Sequence, residues 1–183
     1  MKIVVGITGS SGAIYAVDFL KKCNADKFLI ISKWGKVLLK DELILTENDL
    51  QQFVKKQFSD DDLTAPTSSG SNKFDAFVII PCSTSTVGKI ASGFGDTLIT
   101  RTAQVALKER YKLVLCVRET PLSTITLENC TKLSQAGAII MPISPPMYSK
   151  PKTLNEYIGV FTERLLKVLN LGESKGWRGE ELE

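Results

Sequence analysis

Long, continuously apolar segments constrain the fold of this chain more than any other feature. They read FVII at 77–80, LVLCV at 113–117 and AIIM at 138–141. A strand with one solvated face alternates apolar and polar residues, whereas a strand in a parallel sheet covered on both faces is apolar throughout. Amphipathic stretches of helical length separate these segments. The sequence therefore predicts an α/β fold, a three-layer doubly wound parallel sheet of the Rossmann-like flavoprotein kind.

The same patterns place each element along the chain. Strands are predicted at Ile3–Ile7, Phe28–Ile31, Asp75–Pro81, Leu113–Val117 and Ala138–Pro142. Helices are predicted at Ala13–Lys22, Val87–Ser92, Leu98–Glu109, Leu122–Ala136 and Leu154–Leu169, with a polar loop at Ser59–Asn72. The predicted organisation is one domain over 1–171, followed by a charged tail at 172–183.

Composition excludes several function classes. The chain contains no histidine, which removes Ser-His-Asp triads and ordinary zinc hydrolases, and no metal site is expected. The net charge of +3 gives no sign of nucleic-acid binding. No apolar segment reaches the roughly 20 residues of a membrane-spanning helix. The four cysteines are scattered without a C-x-x-C pair, which is typical of reduced thiols in a cytoplasmic protein.

Polar residues follow nearly every predicted strand. The strand ends continue into Thr8-Gly9-Ser10-Ser11, Ser32-Lys33, PCSTST at 81–86, RETPLS at 118–123 and PISPPMY at 142–148. Parallel strands have their carboxyl ends at one edge of the sheet, and open α/β sheets bind ligands there. The sequence therefore predicts a single polar site built from these loops.

The glycine-rich turn GITGSSGA at 6–13 has two readings of equal weight. It serves either as a tight turn with a serine cap or as a phosphate site at the start of a helix. An NAD site needs an acidic residue after the second strand, where this chain has Ser32-Lys33. A P-loop lysine is also missing. Hydroxyl donors with a few cations suit flavin mononucleotide (FMN), its phosphate held by this turn or by the Ser/Thr loop with Arg101.

Longer motifs resemble one family over about residues 3–170. The matching segments are GITGSSGAIYA, PCSTSTVGKIASG, GDTLITRTAQVALKER, RETPLSTITLEN and TERLLKVL. They are similar to the flavin prenyltransferases, formerly described as aromatic-acid decarboxylases. The resemblance implies reduced FMN as the prenyl acceptor and dimethylallyl phosphate or pyrophosphate as the donor. It also implies a homo-dodecamer with sites at subunit contacts, and a partner decarboxylase that receives the prenylated FMN.

Matching the family's motifs residue by residue implies three groups of site residues. The FMN-binding positions are Gly9, Ser10, Ser11, Ser32, Ser83, Thr84, Ser85, Thr86 and Arg101. The prenyl-phosphate positions are Lys108, Arg118, Tyr148 and Arg164. The catalytic positions are Glu119, Glu42 and Ser11.

Two other functions remain open on the sequence. One is an FMN-dependent decarboxylase acting directly on an aromatic acid, and the other is a non-catalytic FMN carrier. Related flavin decarboxylases of peptidyl cysteine use a catalytic histidine, and this chain has none.

Overall fold

The computed structural model describes residues 1–172 of the chain. Its centre is a six-stranded parallel sheet. The strands are β1 (Lys2–Ile7), β2 (Asp26–Ile31), β3 (Lys56–Ser59), β4 (Ala76–Cys82), β5 (Lys112–Val117) and β6 (Ile139–Ile140). Their spatial order is β3-β2-β1-β4-β5-β6. The order reverses direction between β1 and β4, which is where open α/β sheets bind ligands.

Helices cover both faces of this sheet. They are α1 (Ala13–Lys22), α2 (Lys33–Leu43), α3 (Thr84–Ala91), α4 (Leu98–Glu109), α5 (Thr124–Gln135) and α6 (Leu154–Val168). One apolar cluster joins α1 and α6 to the sheet through Phe19 and Phe161. The other joins α3 and α4 through Val87 and Val105. The predicted three-layer doubly wound fold is confirmed.

The predicted bounds hold best where hydrophobic periodicity is strong. The predicted helices at Ala13–Lys22 and Leu98–Glu109 match α1 and α4. Helix α3 begins at Thr84 rather than Val87, because the Ser83 hydroxyl caps it and accepts from Thr86 N. In the last strand only Ile139–Ile140 pair with β5, so the predicted strand at Ala138–Pro142 was too long.

Three elements between β2 and the loop at Ser59–Asn72 were missed. They are α2, a 3-10 helix at Glu47–Phe53 and strand β3. Helix α2 buries only Gly35 and Leu39, which leaves no helical stripe in the sequence. Strand β3 is a short edge strand with one buried residue, Phe58. The sheet therefore has six strands where the sequence predicts five.

Two edges of the sheet matter for the site. The carboxyl edge is where β1 ends at Ile7 and β4 ends at Cys82, and the amino edge is where β1 starts at Lys2 and β5 starts at Lys112. The last residue of α6 lies at the amino edge. There the Val168 carbonyl accepts from Nζ of Lys112, the first residue of β5, at 2.7 Å. The predictions of a single domain over 1–171 and a charged tail at 172–183 stay predictions, and residues 173–183 lie outside the described part.

Candidate functional site

A cleft of about 480 Å³ opens at the carboxyl edge, at the switch between β1 and β4. Its volume falls within the range of about 300–1,000 Å³ found for small-molecule sites. Hydroxyl groups dominate its polar lining, supplied by Thr8, Ser32, Ser59, Ser83, Ser85, Thr86, Thr97 and Thr100. The loops after β1, β2 and β4 converge as the sequence predicts, and the loop after β3, a strand that was not predicted, joins them. The loops after β5 and β6, which were predicted to share the site, contribute no residue to the lining of this cleft.

Side chains tie the strand ends together. Thr8 Oγ1 donates to the Pro81 carbonyl at 2.8 Å and accepts from Ser83 N at 2.8 Å, which joins β1 to β4. Ser10 Oγ donates to the Arg118 carbonyl at 2.6 Å, which joins the turn after β1 to the end of β5. Buried and half-buried hydrogen bonds of this kind fix the relative positions of the loops that carry the polar groups.

The glycine-rich turn is bound to a carboxylate of the chain itself. Glu42, on α2, accepts from Gly12 N at 3.0 and 3.2 Å and from Ala13 N at 2.9 Å. These amides are the donors that a phosphate would use at the start of a helix. The Glu42 carboxylate therefore occupies the amide donors of Gly12 and Ala13, the residues that follow Ser11 in the turn.

A second carboxylate, that of Asp60, caps the start of α4. Asp60 Oδ1 accepts from Ile99 N at 2.8 Å, and the Asp60 carbonyl accepts from Leu98 N at 2.7 Å. Burial is the main influence on the Asp60 carboxyl and raises its pKa, against the lowering effect of its hydrogen bonds. Asp60 lines the cleft, so an anionic ligand group is disfavoured on that side.

Close packing between Gly9 and Trp34 shapes the opposite wall. A Cβ at position 9 would stand 2.4 Å from the Trp34 Cβ, so only glycine allows this approach. Trp34 lines the cleft and remains 65% exposed. This wall fits a flat heteroaromatic ring, and the hydroxyl-rich remainder fits a polyol and a phosphate.

Three lysines line the cleft, and two of them are already paired. Lys36 Nζ lies 2.5 Å from Glu47, and Lys89 Nζ lies 2.7 Å from Asp96. The Lys89 hydrogen bond is the main reason that the pKa of Asp96 is lowered. Lys33 is the third, and no ion pair to it occurs within residues 1–172.

The thiols near the site are not reactive groups. Cys82 ends β4 and Cys116 lies in β5, and both are fully buried. Burial raises the pKa of each thiol far above its usual range. Since the thiolate is the nucleophile, these cysteines belong to the core. Within the described residues no group of three potential ligands could hold a metal ion.

Of the predicted FMN-binding residues, five line the cleft: Gly9, Ser32, Ser83, Ser85 and Thr86. Ser10 braces the turn through Arg118. Thr84 lies between the lining residues Ser83 and Ser85, and neither Thr84 nor Ser11 lines the cleft itself. Arg101 lies one residue beyond Thr100, with its Nε donating to the Ser68 carbonyl at 3.0 Å.

The predicted phosphate and catalytic residues divide between the two edges. Arg118, Glu119 and Tyr148 follow β5 and β6 at the carboxyl edge, where Glu119 Oε1 accepts from Thr120 N at 3.0 Å. Lys108 lies in the last turn of α4, in contact with Glu109. A helix rises about 1.5 Å per residue, so the Lys108 backbone is about 15 Å from the start of α4 at the cleft.

Arg164 also lies towards the amino edge, on a helix in the other apolar cluster. It lies close to the end of α6, the helix whose Val168 carbonyl is bound at the amino edge. Within one subunit the structure therefore does not bring Lys108 and Arg164 to Arg118, Glu119 and Tyr148.

Sequence reasoning missed the contribution of α2 and β3 to the cleft. Trp34, Lys36 and Asp60 all line it, and none was a candidate. The sequence signal was present in Ser32-Lys33-Trp34, a polar-to-aromatic transition directly after a strand. This segment did not lead to a prediction of site residues, because helix α2 itself was not predicted.

Comparison with known sequences gives consistent matches. The Flavoprotein family matches residues 1–160. The flavin prenyltransferase UbiX of Thermoplasma acidophilum is 44% identical over 180 residues, covering 97% of this chain and 100% of that protein. The enzyme of the same name from Methanocaldococcus jannaschii is also 44% identical, covering 97% of this chain and 98% of the relative.

Solved structures agree in fold along nearly the whole chain. The crystal structure of AnUbiX (PadA1) in complex with FMN and dimethylallyl pyrophosphate superposes with a TM-score of 0.92 at 37% identity, covering 97% of this chain and 98% of that one. A dodecameric FMN-dependent UbiX-like decarboxylase from Escherichia coli O157:H7 also gives a TM-score of 0.92 at 37% identity, covering 98% of this chain and 100% of that one.

Within residues 1–172 no helix is both long and apolar enough to span a bilayer.

Proposed function

The chain belongs to the flavin prenyltransferase family, and we infer from that membership that it joins a dimethylallyl group to reduced FMN. The product is a prenylated FMN with new bonds at N5 and C6 of the flavin. One observation carries the inference: a hydroxyl-lined cleft at the switch point of a chain that superposes over 97% of its length on a protein solved with FMN and dimethylallyl pyrophosphate.

The cleft residues bind and orient the flavin. Ser32, Ser83, Ser85 and Thr86 present hydroxyl groups from two neighbouring loops, and Gly9 leaves room beside them. Bound there, FMN supplies the nucleophilic ring nitrogen, and the chain supplies position and electrostatics. Several fixed donors convert an encounter between two substrates into a reaction within one complex.

Cationic residues stabilise the departing phosphate. Ionisation of an allylic phosphate produces a delocalised cation, so the barrier depends mainly on the charge of the leaving group. Arg118 and Tyr148 at the carboxyl edge hold the donor phosphate, together with Lys108 and Arg164. Charge-assisted hydrogen bonds from guanidinium and ammonium groups suit this role without a metal ion.

Lys108 and Arg164 act from a neighbouring subunit. The backbone of Lys108 is eight residues, or about 12 Å, along α4 from Thr100, the cleft-lining residue of that helix nearest to it in sequence, further than a lysine side chain extends. The protein assembles as a homo-dodecamer, in which the amino edge of one subunit faces the carboxyl edge of another. A relative with the same fold at 37% identity is dodecameric, which supports this assembly.

The carboxylates have separate tasks. Glu119 is exposed at the carboxyl edge, beside Arg118, and carries the proton that the phosphate or the flavin exchanges. Glu42 positions Ser11 by holding the amides of Gly12 and Ala13. Ser11 then presents its hydroxyl to the reacting groups.

Trp34 provides the wall that keeps water from the allylic cation. Within residues 1–172 it is the one large aromatic side chain that lines the cleft. An aromatic face excludes water and attracts a cation, whereas water in the same place would trap the cation as an alcohol.

The product serves a partner decarboxylase in the cytoplasm. Four free cysteines in the described part of the chain support a reducing compartment.

The test is incubation of the purified protein with reduced FMN and dimethylallyl phosphate or pyrophosphate under anaerobic conditions. The expected result is a flavin heavier by one dimethylallyl unit, detected by mass spectrometry. Release of carbon dioxide from an aromatic acid by the protein alone would instead show a decarboxylase. Retention of FMN with neither product would show a carrier.

A further inference from the structure

A second cavity, of about 260 Å³, lies near the amino edge of the sheet, on the side of β3. Its walls are residues of β1, β2 and β3 on one side and of the segment 66–74 on the other. Among residues 1–172, none lines both this cavity and the flavin cleft. We propose that the second cavity binds a small aromatic carboxylate, with its ring against phenylalanine side chains and its carboxylate beside lysines. The proposal does not depend on the proposed function.

Three phenylalanines form the apolar wall of this cavity. Phe28 comes from β2, Phe58 from β3 and Phe74 from the segment before β4. The Phe28 and Phe58 ring centroids are 6.4 Å apart and the ring planes differ by 20°. Phe74 is held by an edge-on contact with Tyr111, with ring centroids 4.9 Å apart. Aromatic side chains favour another ring in offset or edge-on contact, so this wall suits a flat aromatic ligand.

The volume of the cavity limits the size of its ligand. An apolar cavity of roughly 150 Å³ is large enough to hold benzene. The 260 Å³ found here therefore accommodates one ring with a polar substituent. It falls below the range of about 300–1,000 Å³ typical of sites for larger ligands, so a flavin or a nucleotide does not fit.

Lysines give the cavity a positive charge. Lys2, Lys56 and Lys73 line it, and none of them forms an ion pair within residues 1–172. Lys56 Nζ lies 5.1 Å from the centroid of the Phe58 ring, so this ammonium group is held over the aromatic wall. Among the described residues, no aspartate or glutamate lines the cavity. A lining of one sign favours a ligand of the opposite charge.

Carboxylates near these lysines have other partners. Asp26, which lies opposite Lys2 in the sheet, pairs with Lys55 at 2.8 Å. The hydrogen bond from Lys55 is the main influence that lowers the pKa of Asp26, and Lys2 contributes the smallest. Asp62 accepts from Thr64 N at 3.0 Å and from Thr64 Oγ1 at 2.6 Å. The ammonium groups at the cavity are therefore available to an anionic ligand.

The test is ligand-observed saturation-transfer NMR, measured with and without saturating FMN. The probe is benzoate, and benzamide is its neutral counterpart with nearly the same shape. Acetate carries the charge without the ring. One variant combines Lys56→Gln with Lys73→Gln. The matched control combines Lys40→Gln with Lys132→Gln, whose lysines are exposed and lie outside both cavities.

Benzoate is expected to bind with a Kd of about 1 mM or below, the scale for a ligand of this size. Benzamide should bind at least about threefold more weakly, because it lacks the attraction to the lysines. The Lys56/Lys73 variant should lose at least about threefold of the benzoate affinity and keep that for benzamide, and the control should match wild type. Acetate should give no signal, and FMN should displace no benzoate.

Equal affinities for benzoate and benzamide would overturn the proposal. So would unchanged benzoate binding in the Lys56/Lys73 variant, or displacement of benzoate by FMN, which would place the probe in the flavin cleft.

Phe28→Leu tests the aromatic wall separately. It keeps an apolar side chain at a half-buried position and removes the ring. Benzoate affinity is expected to fall at least about threefold, with the Tm measured in parallel to show that the fold is intact. Wild-type affinity for benzoate in this variant would contradict the proposal, and the exposed lysine pair tests it independently of any change in folding.

Discussion

Replacing Glu42 with glutamine tests the carboxylate that holds the glycine-rich turn. The side chain keeps its size and an acceptor oxygen but loses the charge directed at the start of α1. Its carboxylate accepts from two amides, Gly12 N at 3.0 Å and Ala13 N at 2.9 Å. A carboxylate at a helix N-terminus contributes about 0.3–1 kcal/mol near the surface. The weaker hydrogen bonds of a neutral acceptor bring the expected loss to about 1 kcal/mol.

The assay is thermal unfolding at one fixed protein concentration, because oligomers melt in a concentration-dependent way. A loss of about 1 kcal/mol lowers the Tm by roughly 2–4 °C for a chain of this size. Asp41→Asn is the control, since it removes the same charge from an exposed neighbour on α2. An unchanged Tm in Glu42→Gln, equal to that of the control, would refute the carboxylate contact as an anchor of the turn. Loss of turnover would then have to be explained by direct chemistry.

Three further predictions concern the cleft. Gly9→Ala should weaken FMN binding at least tenfold because its Cβ would stand 2.4 Å from the Trp34 Cβ, whereas Gly88→Ala, with 3.6 Å to its nearest neighbour, should leave dialysis-measured affinity unchanged. Burial raises the pKa of Asp60 in the folded state, so the native protein binds the proton more tightly than the unfolded chain. Its contribution to stability is therefore largest below the unfolded pKa, near 3.9, and is lost as pH rises through the folded pKa. Denaturant unfolding across that window should show wild type losing stability relative to Asp60→Asn, and parallel curves would contradict the burial. Prenyl transfer should survive EDTA, and full loss of activity restored by magnesium would overturn metal independence.

The sheet and its buried helices could be predicted because their signal is local. Continuous apolar strands such as Leu113–Val117 and the strongly patterned helix at Leu98–Glu109 need no partner to be identified. The position of the site followed from the same reasoning, since parallel strands share one carboxyl edge. Five of the flavin-binding residues that the family resemblance implies line the cleft at this edge.

What the sequence could not supply depends on tertiary contacts. Helix α2 buries only Gly35 and Leu39, so its hydrophobic pattern is too weak to recognise, and Trp34 was missed with it. The contact between Glu42 and the glycine-rich turn could not be predicted either. Glu42 lies 30 residues further along the chain than Gly12, and only folding brings the two together.

Mixing two inactive variants tests most directly the claim that each site is assembled from two subunits. Lys108→Ala removes a residue from the amino edge, and Glu119→Gln removes one from the carboxyl edge. Co-expression of the two variants creates mixed oligomers in which, with random assembly, about one site in four carries both native residues. The account predicts that prenylated FMN formation returns to roughly that fraction of wild type. The control pair Arg118→Ala with Glu119→Gln should stay inactive, because both changes fall on the same edge. No recovery in the first pair would contradict assembly of the site between subunits.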